Sequence, residues 1–267
     1  MAKKFWTKKM LVWIVVAIVV LGIGGYYLYA RKFAVLPEVS VNLMADVKEP
    51  TANDKVLIIS PHPDDETIAA AGYIQRTVKN KAKIEILLVT DGNRRGFGAE
   101  RHKEFRDATE ILGVGSGDLQ YLELLEFYLR ERISEKDLTT MLNHEMDNFQ
   151  PTIILYPDES DQNPDHKYIG EVMQKILANK QKITSYSYLV HYRHFPQPVG
   201  LHMDNNLTPP VKLADFTHHW QRSMLTSDEE NAKLNALSTY KTQLRTPLLH
   251  DLLVSMVRKN ELFSTSK

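Results

Sequence analysis

Cysteine is absent from all 267 residues, which excludes disulfides, thiolate metal sites and a cysteine nucleophile together. Any metal site must therefore be built from histidine and carboxylates. An excess of either charge is missing as well: 33 basic and 33 acidic side chains cancel, and the pI is near 7.2. With no basic field to follow a phosphate backbone, nucleic acid is not an expected partner. The adjacent Arg94 and Arg95 read as solvated loop or as the rim of a crevice. Internal repeats and low-complexity tracts are lacking too. Asp158, Glu159 and Asp161 do not have the spacing of a calcium-binding EF-hand loop and read as a solvated acidic turn.

What is present suits one medium-sized globular domain with an appendage at its N-terminus. Lys3, Lys4, Lys8 and Lys9 precede an uncharged, largely aliphatic and aromatic run from Met10 to Ala30, long enough to span a bilayer as a helix. It is longer than the apolar core of a cleavable signal peptide, and Leu28-Tyr29-Ala30 is a poor cleavage site. A retained anchor in contact with the lipid bilayer is expected. Four lysines before the span, against Arg31 and Lys32 after it, place the N-terminus in the cytoplasm; Tyr26, Tyr27 and Tyr29 suit the outer interface. The expected organisation is a cytoplasmic tail and transmembrane anchor over 1–32, a linker over 33–54 and a globular domain over 55–267, outside the cytoplasmic membrane.

Periodicity predicts strands over 55–60, 84–90, 119–124, 152–156 and 185–193, alternating with helices over 67–79, 99–112, 134–149 and 165–178. After Arg193, prolines 196, 198, 209 and 210 break a long loop, and helices follow over 229–244 and 247–258. The fold class implied is α/β, a Rossmann-like three-layer sandwich around a mainly parallel sheet. Ligands in such sheets bind beyond the carboxyl ends of the strands.

At one such end the chain reads His62-Pro63-Asp64-Asp65-Glu66. Pro63 keeps His62 extended, and the acids fall where a helix begins and its positive end stabilises negative charge. Histidine and carboxylate are natural zinc ligands, so a metal site is the reading favoured over a simple N-cap. A third ligand must come from elsewhere, and Asn163-Pro164-Asp165-His166 follows another buried strand. By itself that segment is equally a helix start with His166 exposed on the first turn.

The chain resembles the PIG-L/LmbE superfamily of zinc-dependent de-N-acetylases. The resemblance rests on five segments in order: "PHPDDE", "VTDG" at Val89 to Gly92, "RHKEFRDATEILGV" from Arg101, "NPDHKYIG" and "KLNALSTYKTQL". It implies His62, Asp65 and His166 as ligands of Zn2+, with Fe2+ or Co2+ also acceptable to such a set. It further implies Asp64 as general base and Arg101 as a contact to sugar hydroxyls, with acetate and a free amino sugar as products. The family pattern His-x-Asp-His is broken at its first position, here Asn163, while Asp165 is kept. An amide can donate to an oxyanion but cannot exchange a proton near neutrality. His191 is a candidate replacement, with Arg193 on the same strand face as a substrate contact; both also read as ordinary polar residues at a strand end. The substrate expected of an anchored enzyme is an N-acetylglucosamine-type sugar of a cell-envelope or lipid-linked glycan. The alternative is a glycan-binding protein that kept the fold and lost turnover through Asn163.

Overall fold

The structure, a computed structural model, describes residues 2–32, 34–214 and 217–265. Met1, Phe33 and Lys267, which bound the expected segments, lie outside the described residues. The strands are β1 (Ala45–Asp46), β2 (Lys55–Ser60), β3 (Lys83–Thr90), β4 (Leu119–Leu124), β5 (Ile153–Pro157), β6 (Thr184–Tyr188), β7 (His219–Met224) and β8 (Asn260–Thr265). The helices are α1 (Ala2–Lys32), α2 (Asp65–Lys79), α3 (Gly98–Ile111), α4 (Leu129–Arg132), α5 (Glu135–Phe149), α6 (Pro164–Leu177), α7 (Ser227–Leu237), α8 (Lys241–Leu244) and α9 (Pro247–Val254). One sheet runs in the order β1-β7-β8-β6-β5-β2-β3-β4 and is parallel except where β8 pairs with β6 and β7.

The continuous apolar run of β2 follows from its central place. Val56 and Ile58 point into one core with Ile68, Tyr73 and Phe105, while Leu57 and Ile59 point into a second with Leu142, Ile169 and Met173. Residues of opposite parity thus face opposite layers, which makes the three-layer sandwich. The chain moves from β2 outward to β3 and β4, then returns to β5 on the other side of β2. The crevice between the ends of β2 and β5 is therefore the topological switch point, where a ligand is expected.

Several elements depart from the pattern reading. The strand expected over 185–193 stops at Tyr188, because the amides of Val190 and His191 donate to the Asp161 carboxylate, at 3.0 and 2.9 Å. Face alternation therefore does not relate His191 to Arg193. The helix expected over 229–244 breaks after Leu237, where Tyr240 turns into the core. Strands β7 and β8 have no clear two-residue alternation of apolar side chains, so the pattern does not reveal them, although β8 is almost wholly buried. Within α1, Thr7–Arg31 has a mean hydropathy of 2.4 and no buried residue, so this helix is long and apolar enough to cross a membrane.

Candidate active site

The β2–α2 turn holds Asp64 at φ +130°, ψ −28°, a backbone conformation that L residues avoid. Asp65 opens α2, and its Oδ2 accepts the His62 amide at 2.9 Å. Across the crevice, Asn163 caps α6 by accepting the Asp165 amide at 2.9 Å. Pro164 takes the first helical position, and His166 follows one turn inside the cap.

These two turns bring three donor atoms together. His62 Nδ1, Asp65 Oδ2 and His166 Nε2 form a triangle with sides of 3.2, 2.9 and 3.1 Å. Metal bonds of about 2.0–2.1 Å at tetrahedral angles place donors about 3.3 Å apart, so the triangle is of the size one cation imposes. All three residues are buried, and among the described residues Asp65 Oδ1 has no hydrogen-bond partner. Burial would lower the pKa of both histidines, yet hydrogen bonds and charge from the surrounding acids win: His62 is raised to about 9, and His166 is raised as well. A pocket that favours positive charge so strongly on two buried imidazoles is electrostatically suited to a divalent ion. The donor set therefore fits a metal.

Each histidine also faces an outer carboxylate. Asp165 Oδ2 lies 3.1 Å from His62 Nε2, and the same side chain accepts the amides of Phe127 and Leu129 at 2.7 and 2.9 Å. Asp161 Oδ2 lies 3.3 Å from His166 Nδ1. Of the acidic turn only Glu159 is solvated: Asp158 and Asp161 are 4% and 1% exposed. Asp161 is the partner that pattern reading passed over. The signal available was an acid two residues before the cap of a helix whose first turn carries a buried histidine.

Beside the triangle, Asp64 is buried, and burial followed by the Asp65 charge pushes its carboxyl pKa up, against the pull of Arg101. Arg101 Nη2 lies 3.8 Å from Asp64 Oδ2. The same guanidinium is braced by the Pro63 and Gly92 carbonyls and by Glu126, while its Nε is buried without a hydrogen-bond partner among the described residues. Glu66 lies beneath the turn and accepts from Ser60, Thr67 and Tyr240 and from the Asp64 amide. The roles of Glu126, Glu66 and Tyr240 depend on distant segments meeting and carried no local signal.

On the α6 side the His191 ring packs edge-on against His166, 4.8 Å between centroids, and burial lowers its pKa, favouring neutral imidazole. His191, Asn163 and Arg193 line a mostly apolar cavity of ≈ 510 Å³ with Val199, Leu252 and Met256. Arg193 also lies over the Tyr29 ring at the end of α1, 5.0 Å from its centroid. Asn163 and His191 are thereby brought to one cavity wall next to the triangle, and Arg193 to the cavity's outer part.

Residues 57–177 match the family profile described as GlcNAc-PI de-N-acetylase. The diacetylchitobiose deacetylase of Thermococcus kodakarensis is 31% identical over 207 residues, covering 71% of this chain and 70% of its own length. The probable N-acetyl-alpha-D-glucosaminyl L-malate deacetylase 2 of Bacillus subtilis is 28% identical over 71% of this chain and 83% of its own. Among solved structures, a deacetylase of teicoplanin biosynthesis superposes with a TM-score of 0.58 at 17% identity, covering 79% of this chain and 96% of that one. The N,N'-diacetylchitobiose deacetylase of Pyrococcus horikoshii gives 0.53 at 22% identity, covering 82% and 86%. At those identities the structural likeness speaks to the fold.

Proposed function

The chain belongs to the GlcNAc-PI de-N-acetylase (PIG-L) family of deacetylases, and from that premise we propose a zinc-dependent enzyme that removes the acetyl group from N-acetylglucosamine-type sugars of envelope or lipid-linked glycans. The single observation that carries this reading is the buried triangle of His62, Asp65 and His166 with the buried carboxyl of Asp64 beside it. His62, Asp65 and His166 would hold a divalent cation, which would supply Lewis acidity to the acetamide carbonyl and to water.

The remaining chemistry belongs to the chain's own residues. Asp64 takes the proton from the attacking water and returns it to the departing amine, a task that suits a carboxyl whose pKa burial has raised. Asn163 Nδ2 and the neutral His191 ring provide donors on the cavity wall for charge developing on the carbonyl oxygen. His191 can also exchange a proton, which Asn163 cannot. Asp165 and Asp161 fix the ring orientation of His62 and His166. Arg101 holds Asp64 on one side and, from the wall of the neighbouring cavity, contacts a sugar hydroxyl; Arg193 contacts the substrate from the larger cavity's outer part.

Residues 1–32 form the tail and anchor, and 33–54 a linker that lies against the deacetylase domain of 55–267, with β1 paired to β7 and Val41 and Val47 buried. The lysine asymmetry around α1 favours a cytoplasmic N-terminus, which puts the domain where envelope glycans are met. The test is acetate release by the full chain, zinc-loaded in detergent, from N-acetylglucosamine oligosaccharides and from envelope glycan fractions. Release that disappears in Asp64→Asn is expected. No release from any fraction, with stoichiometric bound metal, would overturn the reading. A reporter fused after Lys267 should be active outside the cytoplasm; activity on the cytoplasmic side alone would reverse the topology.

A further inference from the structure

A second, smaller cavity of ≈ 170 Å³ opens beside the site, lined by Arg94, Arg95, Arg101 and Arg245 with a single acid, Glu126. Three separated segments supply these arginines: the β3–α3 loop, α3 and the residue after α8. Glu126 is already engaged. Both its oxygens lie 3.1 Å from Arg101 Nη1, and Oε2 also accepts the Arg94 amide. Its one negative charge is therefore matched by Arg101, which leaves three guanidinium charges in the pocket wall uncompensated.

Two of the three, Arg94 and Arg245, are not simply dispersed in solvent. The Arg94 guanidinium carbon lies 3.5 Å from the centroid of the Phe127 ring, and that of Arg245 lies 4.3 Å from the centroid of Phe97. Stacking on a ring fixes a guanidinium plane and leaves its N–H edge free to bind an oxyanion. Among the described residues, no carboxylate pairs with the side chains of Arg94, Arg95 or Arg245. Arg101 joins this pocket to the reaction centre through Asp64, 3.8 Å away. Leu249 lines both this pocket and the larger apolar cavity, so one bound molecule can reach both.

We propose that this pocket is a subsite for an oxyanion, a phosphate or a carboxylate, carried by the sugar substrate. The inference rests on the deacetylase reading above and narrows it: the enzyme acts on an N-acetylated sugar that bears negative charge, and neutral N-acetylglucosamine oligomers are its poorer substrates. Arg101 is shared between sugar and anion, whereas Arg94, Arg95 and Arg245 serve the anion. Guanidinium forks recognise both phosphate and carboxylate by paired N–H donors, so the experiment includes both.

The test compares three glycosides on the zinc-loaded full chain: N-acetylglucosamine 1-phosphate, the carboxymethyl glycoside of N-acetylglucosamine, and the neutral methyl glycoside. Binding of each is also measured calorimetrically on the metal-free chain, where turnover does not interfere. The expected result is a preference for an anionic glycoside of roughly tenfold or more, as charge-assisted hydrogen bonds give. It should weaken as salt is raised and fall in Arg94→Gln and Arg245→Gln, two exposed positions whose replacement leaves the core untouched. A larger preference for one anion identifies phosphate or carboxylate as the natural group. Equal binding of neutral and anionic glycosides, or a preference that survives both replacements, would overturn the proposal. Acetate release without charge preference sinks the subsite and leaves the deacetylase standing. Arginine-dependent anion binding without acetate release does the reverse.

Discussion

Asp165 Oδ2 and His62 Nε2 lie 3.1 Å apart, both buried, and this contact orients the His62 ring so that Nδ1 points at Asp65 and His166. The carboxylate is itself pinned by two backbone amides, Phe127 and Leu129. Asp165→Asn keeps the shape but removes the negative charge that favours a proton on Nε2 and a free lone pair on Nδ1. Metal affinity should fall about 10- to 100-fold, the usual effect of losing such an outer partner. Asp161→Asn should act similarly through His166. Titration of each variant against a zinc-buffered indicator checks this; unchanged affinity in both would mean that the two acids serve only the loops.

The triangle and Asp64 should separate cleanly by mutation. His166→Ala removes one of three donors and should abolish stoichiometric metal, measured by elemental analysis after gel filtration. Asp64→Asn should retain the metal and lose activity by about 10²- to 10⁴-fold, the range for a general acid or base. Retained metal in His166→Ala would show that the third ligand is another residue.

Glu66 offers a test of positioning. Four donors converge on its carboxylate: Thr67 and Tyr240 on Oε1 at 2.6 and 2.5 Å, Ser60 and the Asp64 amide on Oε2 at 3.1 and 3.3 Å. In Glu66→Gln the NH2 group is best placed on the Oε1 side, where the Thr67 and Tyr240 hydroxyls can turn to accept, because the Asp64 amide on the other side can only donate. The loss of charge-assisted bonds and the reversal of the two hydroxyls should destabilise the chain by about 1 kcal/mol. Because one donor is the amide of strained Asp64, kcat should fall with KM little changed. Tyr240→Phe, which removes one donor from the far oxygen, should show the smaller kcat effect. Urea melts and steady-state kinetics separate the two consequences; a stability loss with unchanged kcat would confine Glu66 to the core.

How much of this was legible in the sequence depended on range. Strands β2, β3 and β5 are buried on both faces and so are continuous apolar runs, which reveal themselves within six or eight residues. The turns after β2 and β5 carry histidine and acids in one local stretch, so His62, Asp65 and His166 were readable as candidates before any geometry. Asp161 was not, because its burial depends on the Val190 and His191 amides arriving from beyond β6. Glu66 looked like ordinary first-turn helix chemistry, since Tyr240 comes from 174 residues away. Strand β8 escaped for a related reason. Glu261, buried in its midst, is matched by Lys233 and by the amides of Gly72 and Tyr73 at the kink in α2, and no local pattern announces a charge that distant groups neutralise.

The same dependence on distant partners gives a pH prediction away from the site. Asp54 lies just before β2, and its carboxylate accepts from Lys48 Nζ, from the Thr51 amide and hydroxyl, and from the Thr152 hydroxyl, all at 2.8–2.9 Å. Burial by itself would raise its pKa, but these donors, with Lys48 foremost, outweigh it and hold the carboxyl well below the usual range. An acid whose folded pKa is depressed binds its proton more tightly when unfolded. Its stabilisation is therefore complete above the unfolded pKa of about 3.9 and is lost as pH falls below it. Much of the effect comes from the threonine donors, since Lys48 is half exposed and solvent weakens that ion pair. The contribution at neutral pH should be on the order of 2 kcal/mol, several degrees in Tm for a chain of this size. Asp54→Asn should melt below the parent at pH 7, and the gap should narrow between about pH 5 and pH 2, because the variant has no proton to take up there. Thermal melts of both proteins across that window measure the gap directly, and a constant difference would show that the carboxylate charge contributes nothing beyond its hydrogen bonds.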